Sequence, residues 1–277
     1  MRTLLTGRWL LALLLVILAV ISCILLGRWQ LHRHEAKVRS AAVITENYDA
    51  EPVPISTPLP DRTAALASDQ DYRVVELRGR FSGEPVYVRN RVQNGEVGFY
   101  QLVPFTTEDG TVLLVRGWVP ADDVDSAPAV QPAVPTDAVT VRARLRPMEP
   151  HLTERRAVAG QIQSITVADV EQAEGPLKDP YLQAYAVSAA EDPAADPALA
   201  PLPKPDLSLG PHLSYAFQWW IFAAFFPIGL IVAARRAVRD AEEQAAAEAE
   251  SLPSSRRAAR RLSDEDEEDA LLDEEGR

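Results

Sequence analysis

Four histidines occur in 277 residues, and three of them stand beside apolar runs. His32 and His34 follow the run that ends at Leu26, and His212 opens the run that begins at Leu213. A neutral imidazole is a competent iron ligand. A tetrapyrrole would bring apolar bulk suited to lipid and propionates suited to bases, and Arg28, Arg33 and Lys37 lie beside His32 and His34. The same residues also read as interfacial histidines among bases whose aliphatic stems lie along a membrane edge. Side-chain chemistry alone leaves both readings open. The fourth histidine, His151, lies in the polar middle of the chain and reads as a surface residue, because a catalytic base needs partners.

The apolar runs are what would position these histidines. Trp9–Leu26 holds one hydroxyl residue, Ser22, and no charge; Leu213–Ala234 is also uncharged. Each is near the ~20 residues that cross ~30 Å of hydrocarbon. Pro227 lies in the second run, where membrane helices tolerate proline. Trp9, Trp29, Tyr215, Trp219 and Trp220 stand toward the ends, where amphipathic rings favour the headgroup layer. Arg235, Arg236 and Arg239 follow the second run, while the nearest base before it is Lys204. That asymmetry places the C-terminus in the cytoplasm, hence both termini there and the middle of the chain outside. Val20-Ile21-Ser22-Cys23 is similar to a lipoprotein cleavage signal, but Ile24, Leu25 and Leu26 continue the apolar run, which favours an uncut anchor.

The expected organisation is a cytoplasmic N-terminus at 1–8, a transmembrane helix at 9–27, an extracytoplasmic β-rich domain at 28–211, a second transmembrane helix at 212–234 and a cytoplasmic charged tail at 235–277. The fold class is a membrane protein with two helices flanking a mainly antiparallel β domain, a sandwich or small barrel with little helix. Strands are expected at 71–81, 85–93, 97–105, 111–120 and 139–147, with weaker ones at 161–167 and 181–187, and a short helix at 168–173. Asn94-Gly95 is a strong hairpin signal. The proline-rich stretches 51–60 and 196–205 read as semi-rigid connectors, and 37–48 as an outward extension of the first helix.

Composition narrows function. Formal charge is −12, and the segment from Asp240 onward, with 14 acids and 5 arginines, carries −9 of it. The remainder is nearly neutral, which argues against a nucleic-acid partner. The single cysteine, Cys23, allows no disulfide within the chain. The middle segment holds no GxSxG, HExxH, P-loop or dinucleotide fingerprint, so no enzymatic reaction is expected. The run Arg142-Ala143-Arg144-Leu145-Arg146 reads either as a face for an anionic ligand or as the solvated side of an alternating strand.

Four blocks carry a family resemblance. Gly27-Arg28-Trp29-Gln30-Leu31-His32-Arg33 followed by Lys37 is similar to the GxWQxxRxxxK signature of the surfeit-locus family of cytochrome c oxidase assembly factors. Tyr72-Arg73-Val74 with Gly79 and Phe81 resembles its first domain strand. Gly98 to Pro104, Gly110 and Val115-Arg116-Gly117-Trp118-Val119-Pro120 resemble its central block. Pro211-His212-Leu213-Ser214-Tyr215-Ala216-Phe217-Gln218-Trp219 resembles its closing signature. The resemblance covers residues 8–236 and leaves the acidic tail outside. It departs from the family pattern at Val115, where the VNRGW motif has asparagine.

The resemblance implies a membrane-bound helper in building haem-copper oxidases, without an enzymatic reaction of its own. It implies transient haem a binding and insertion into the catalytic subunit of cytochrome c oxidase, with haem a synthase as a further partner. It makes His212 the iron ligand and puts Trp29, Gln30, Arg33, Lys37, Tyr215, Gln218 and Trp219 around it. Trp29 would shield the macrocycle, Arg33 and Lys37 would pair with propionates, and Gly27 would let the second helix approach. His32 and His34 are not fixed letters of the signature and stay interfacial. The expected location is the inner (plasma) membrane. Two other readings remain: a scaffold that holds oxidase subunits without haem, and an anchored sensory module signalling through the tail.

Overall fold

Apolar residues dominate from Trp9 to Leu26, and the chain there is helical; the helix, α1, runs as one element from Gly7 to Asn47. The computed structural model describes residues 6–121, 128–152 and 160–251. At 1.5 Å per residue, the 41 residues of α1 extend about 60 Å, twice a hydrocarbon core. The helix α3, His212–Ser251, is of similar length and contains Pro227. Both are long and apolar enough to cross a membrane, with windows of mean hydropathy 3.2 and 1.8. Their leucines, isoleucines and phenylalanines are largely exposed within this chain. Residues 241–251 of the acidic segment continue α3 as helix, and the tail beyond 251 lies outside the described residues.

The chain forms two units, one of residues 1–35 and 210–277, the other of residues 36–209. The second unit is built on an eight-stranded sheet: β1 (Val53–Pro54), β2 (Val74–Phe81), β3 (Val86–Gln93), β4 (Glu96–Thr107), β5 (Thr111–Pro120), β6 (Val139–Pro147), β7 (Gln161–Ile162) and β8 (Ala184–Asp192). The strand order is β1-β2-β6-β8-β5-β4-β3-β7, and β2 also pairs with β4. The ring β2-β6-β8-β5-β4 therefore closes on itself, which settles the choice between sandwich and barrel in favour of a small barrel. Most pairings are antiparallel; β1–β2, β3–β7 and β5–β8 are parallel. Closure removes the unpaired strand edges that an open sheet would expose.

Strand β5 explains its own sequence. Val112 and Leu114 pack with Val75, Leu77, Phe105, Val141 and Leu145. Leu113 and Val115 point the other way, against Val86, Val88, Leu102 and Val170. A strand buried on both faces reads as a continuous apolar run, not as alternation. Val115, where the resemblance lacks asparagine, thus fills a core position. Val170 comes from α2 (Val167–Glu174), which is capped by the Thr166 hydroxyl accepting from the Asp169 amide. Asn94 and Gly95 both have positive φ in the β3–β4 hairpin, as a primed turn requires.

Two expectations need correction. The proline-rich segment 51–60 is not a bare connector: Val53–Pro54 forms β1, and Ile55 and Leu59 are buried in the barrel core. Leu199 of the second segment is buried too, and Ala200 exchanges backbone hydrogen bonds with Trp118. Proline fixes the extended backbone, while the aliphatic residues between the prolines supply the packing. The strand expected at 161–167 is only Gln161–Ile162, because Thr166 begins α2.

An ion pair lies deep in this unit. Arg116 is the extra residue at a β-bulge, where Gln101 pairs with Gly117 and Leu102 with Val115. A bulge re-aims a side chain, and here the guanidinium meets Glu191 of β8. Nε and Nη2 donate to the two carboxylate oxygens at 3.1 and 2.8 Å, and Nη1 donates to Gln101 Oε1 and Ala133 O. Both side chains of the ion pair are fully buried.

Candidate functional site

The seam of the helical unit follows from residue size. On α1, Cys23 and Gly27 are buried and stand four residues apart; on α3, His212, Ala216 and Trp220 share one face at the same spacing. Ala216 is wholly buried. A side chain added to Gly27 would run into the indole of Trp220, so glycine is what lets the two helices meet.

At the end of that seam where α3 begins, His212 Nδ1 lies 2.9 Å from Gln30 Oε1. A carbonyl oxygen only accepts, so in the neutral ring this contact puts the proton on Nδ1. Nε2 then keeps its lone pair, the form in which imidazole binds a metal. Fixing the tautomer through the other ring nitrogen is what outer partners of metal-bound histidines do. Gly210, at φ +64, stands beside the opposite edge of the ring; a Cβ there would come within 3.6 Å of Nε2. A glycine admits this left-handed turn and leaves that ring edge uncrowded.

The other expected residues are placed more loosely. Trp29 is exposed, with the Arg33 guanidinium over its ring at 5.6 Å. Tyr215 and Gln218 are exposed on α3, and Trp219 packs edge-on against Phe222. Lys37 is exposed and belongs to the other unit. Among the described residues, none of these hydrogen-bonds to His212. The buried Nδ1 of His34 has no hydrogen-bond partner among the described residues, and His151 pairs with Asp169 at 3.0 Å. Gly210 and Trp220 were absent from the expected site; the positions of Gly27 and Ala216 in their helices were the available signal for Trp220.

The donor set fits a haem iron: one imidazole nitrogen oriented by an amide, beside exposed aromatic and guanidinium groups. The SURF1 family model matches residues 17–224. The chain belongs to the SURF1 family. An uncharacterised SURF1-like protein of Mycobacterium tuberculosis is 34% identical over 230 residues, covering 80% of this chain and 82% of that one. A SURF1-like protein of Rickettsia bellii is 25% identical over 219 residues, covering 76% and 86%. The cytochrome oxidase assembly protein SHY1 of Saccharomyces cerevisiae is 33% identical over 102 residues, covering 36% of this chain and 25% of SHY1. The SURF1 match takes in both His212 and Gln30.

Proposed function

We propose that this chain assists the assembly of cytochrome oxidase by holding haem a transiently and passing it to the catalytic subunit. Membership of the SURF1 family and the likeness to SHY1 support the assembly role. The observation that carries the haem reading is the Gln30–His212 contact, which in the neutral ring leaves Nε2 as a lone-pair donor where α3 begins against α1, both helices being of membrane length. Bound there, the haem would be held by His212, whose imidazole would supply a nitrogen donor to the iron. Gln30 holds the ring orientation, Trp29 offers an exposed apolar plane, and Arg33 offers a charge for carboxylates. A single exposed ligand suits a carrier that must release its cargo.

In this reading α1 and α3 cross the inner (plasma) membrane. The arginines at 235, 236 and 239 keep both termini in the cytoplasm, and the barrel lies outside. The oxidase subunits are the partners, with haem a synthase as donor. No bond is made or broken by the chain itself.

A reduced-minus-oxidised spectrum of membranes from a strain lacking the protein tests the role. The a-type band is expected to be lost while b- and c-type bands persist. An unchanged spectrum with normal oxidase activity, in a strain with no second copy of the gene, contradicts it.

A further inference from the structure

The arginine run of β6 does more than face solvent. Arg144 and Arg146 stand two residues apart, so they share one face of the strand roughly 7 Å apart along it. Each guanidinium is stacked on a tyrosine: Arg144 lies 3.6 Å from the ring centre of Tyr48, and Arg146 lies 3.9 Å from that of Tyr72. Those two rings are themselves neighbours at 5.9 Å. Stacking pins the planar forks and removes much of the freedom that an arginine loses on binding.

The backbone is bent to achieve this. Tyr72 has φ +62, a left-handed conformation that strains a bulky residue. Its amide donates to Leu145 O at 2.9 Å, which ties the strained residue to β6 directly between the two arginines. Strain of this kind marks sites where a side chain must be aimed.

Both forks border a cavity of about 300 Å³, at the lower end of the range for small-molecule sites. Tyr100 and Tyr185 provide further aromatic walls, and Leu202 and Pro203 an apolar one. Arg91 and Glu149 also line it, paired with each other at 2.6 Å, and Arg91 Nε is buried without a hydrogen-bond partner among the described residues. Burial pushes the Tyr185 hydroxyl up to about 12, so it stays neutral. Besides the Arg91–Glu149 pair, the cavity therefore presents two guanidiniums, and its described lining residues include no unpaired carboxylate. Arg144 uses Nε on Tyr48 O, and its Nη2 is 3.8 Å from Asp49; Arg146 has Asp71 at 3.4 Å from Nε. Among the described residues, no hydrogen bond reaches the terminal nitrogens of either fork.

We propose that this cavity binds a small organic dianion: two carboxylates on a short, flat body, one for each of Arg144 and Arg146. A planar fork takes a carboxylate through two parallel N–H bonds, and the aromatic walls take the flat body between them.

Isothermal titration of the detergent-solubilised full chain with isophthalate tests it. Saturable binding at millimolar or lower concentration is expected. Arg144→Gln and Arg146→Gln should each weaken it about tenfold, by loss of a charge-assisted pair. Arg142→Gln, on the same strand but exposed, should leave it unchanged. Arg146→Lys keeps the charge without the fork and should also weaken it, which covers the case in which a glutamine variant fails to fold. Absence of isophthalate binding overturns the proposal, as does equal affinity in Arg146→Gln or Arg146→Lys. Benzoate or inorganic phosphate binding as tightly as isophthalate overturns the dicarboxylate assignment.

Discussion

The indole of Trp220 occupies the space that a side chain on Gly27 would fill. The two residues come from different helices, and their fit sets how closely α1 and α3 approach beneath the His212–Gln30 pair. Replacing Gly27 with alanine forces the indole away, an overpacking change of about 1–3 kcal/mol. The unfolding midpoint of the detergent-solubilised chain should fall accordingly. Adding Trp220→Ala should recover part of the loss, and strictly additive losses would show that the two residues are not coupled.

Arg116 makes a second testable pair. Its Nε, Nη1 and Nη2 all donate inside the barrel unit, on Glu191, Gln101 and Ala133. Arg116→Leu leaves the Glu191 carboxylate buried without its cation and should cost about 3–5 kcal/mol in chemical denaturation. Arg116→Lys should recover little, because an ammonium cannot reach all of these acceptors in one plane. A loss below about 1 kcal/mol for Arg116→Leu would place the pair in contact with water.

Tyr185 sets a pH dependence. Burial raises its hydroxyl from 10.0 to about 12 in the folded chain. Between those values the unfolded chain gives up this proton before the folded one does, so unfolding becomes easier as pH rises. This contribution is absent below pH 10 and complete above about 12. In an ultraviolet titration the last tyrosinate step should appear near pH 12, and Tyr185→Phe should remove it. An unchanged last step in that variant would assign it to another tyrosine.

What the sequence disclosed depended on how local the cause was. The apolar runs announced α1 and α3, the strand at 139–147 is β6 to the residue, and Asn94-Gly95 marked its hairpin, because each rests on neighbours along the chain. Barrel closure by β2–β4 and the parallel β5–β8 pairing depend on strands far apart in sequence, and no periodicity carries them. The bulge at Arg116 was hidden for the same reason: only its partners on β4 and β8 show that the charge inside an apolar run is paired. The arginines of β6 kept both readings open, since the tyrosines that stack on them lie more than 70 residues earlier. At the candidate site, Gln30 and His212 were both named from signature blocks 182 residues apart, but their contact had to be seen.

The most direct test is to titrate the purified full chain in detergent with haem a and record the Soret band. An imidazole-ligated spectrum is expected for the native chain and should be lost in His212→Ala. Gln30→Ala should keep the ligand type but bind more weakly, by roughly 10- to 100-fold, because nothing then fixes the ring. The same spectrum and affinity in His212→Ala would contradict the assignment of His212 as the iron ligand.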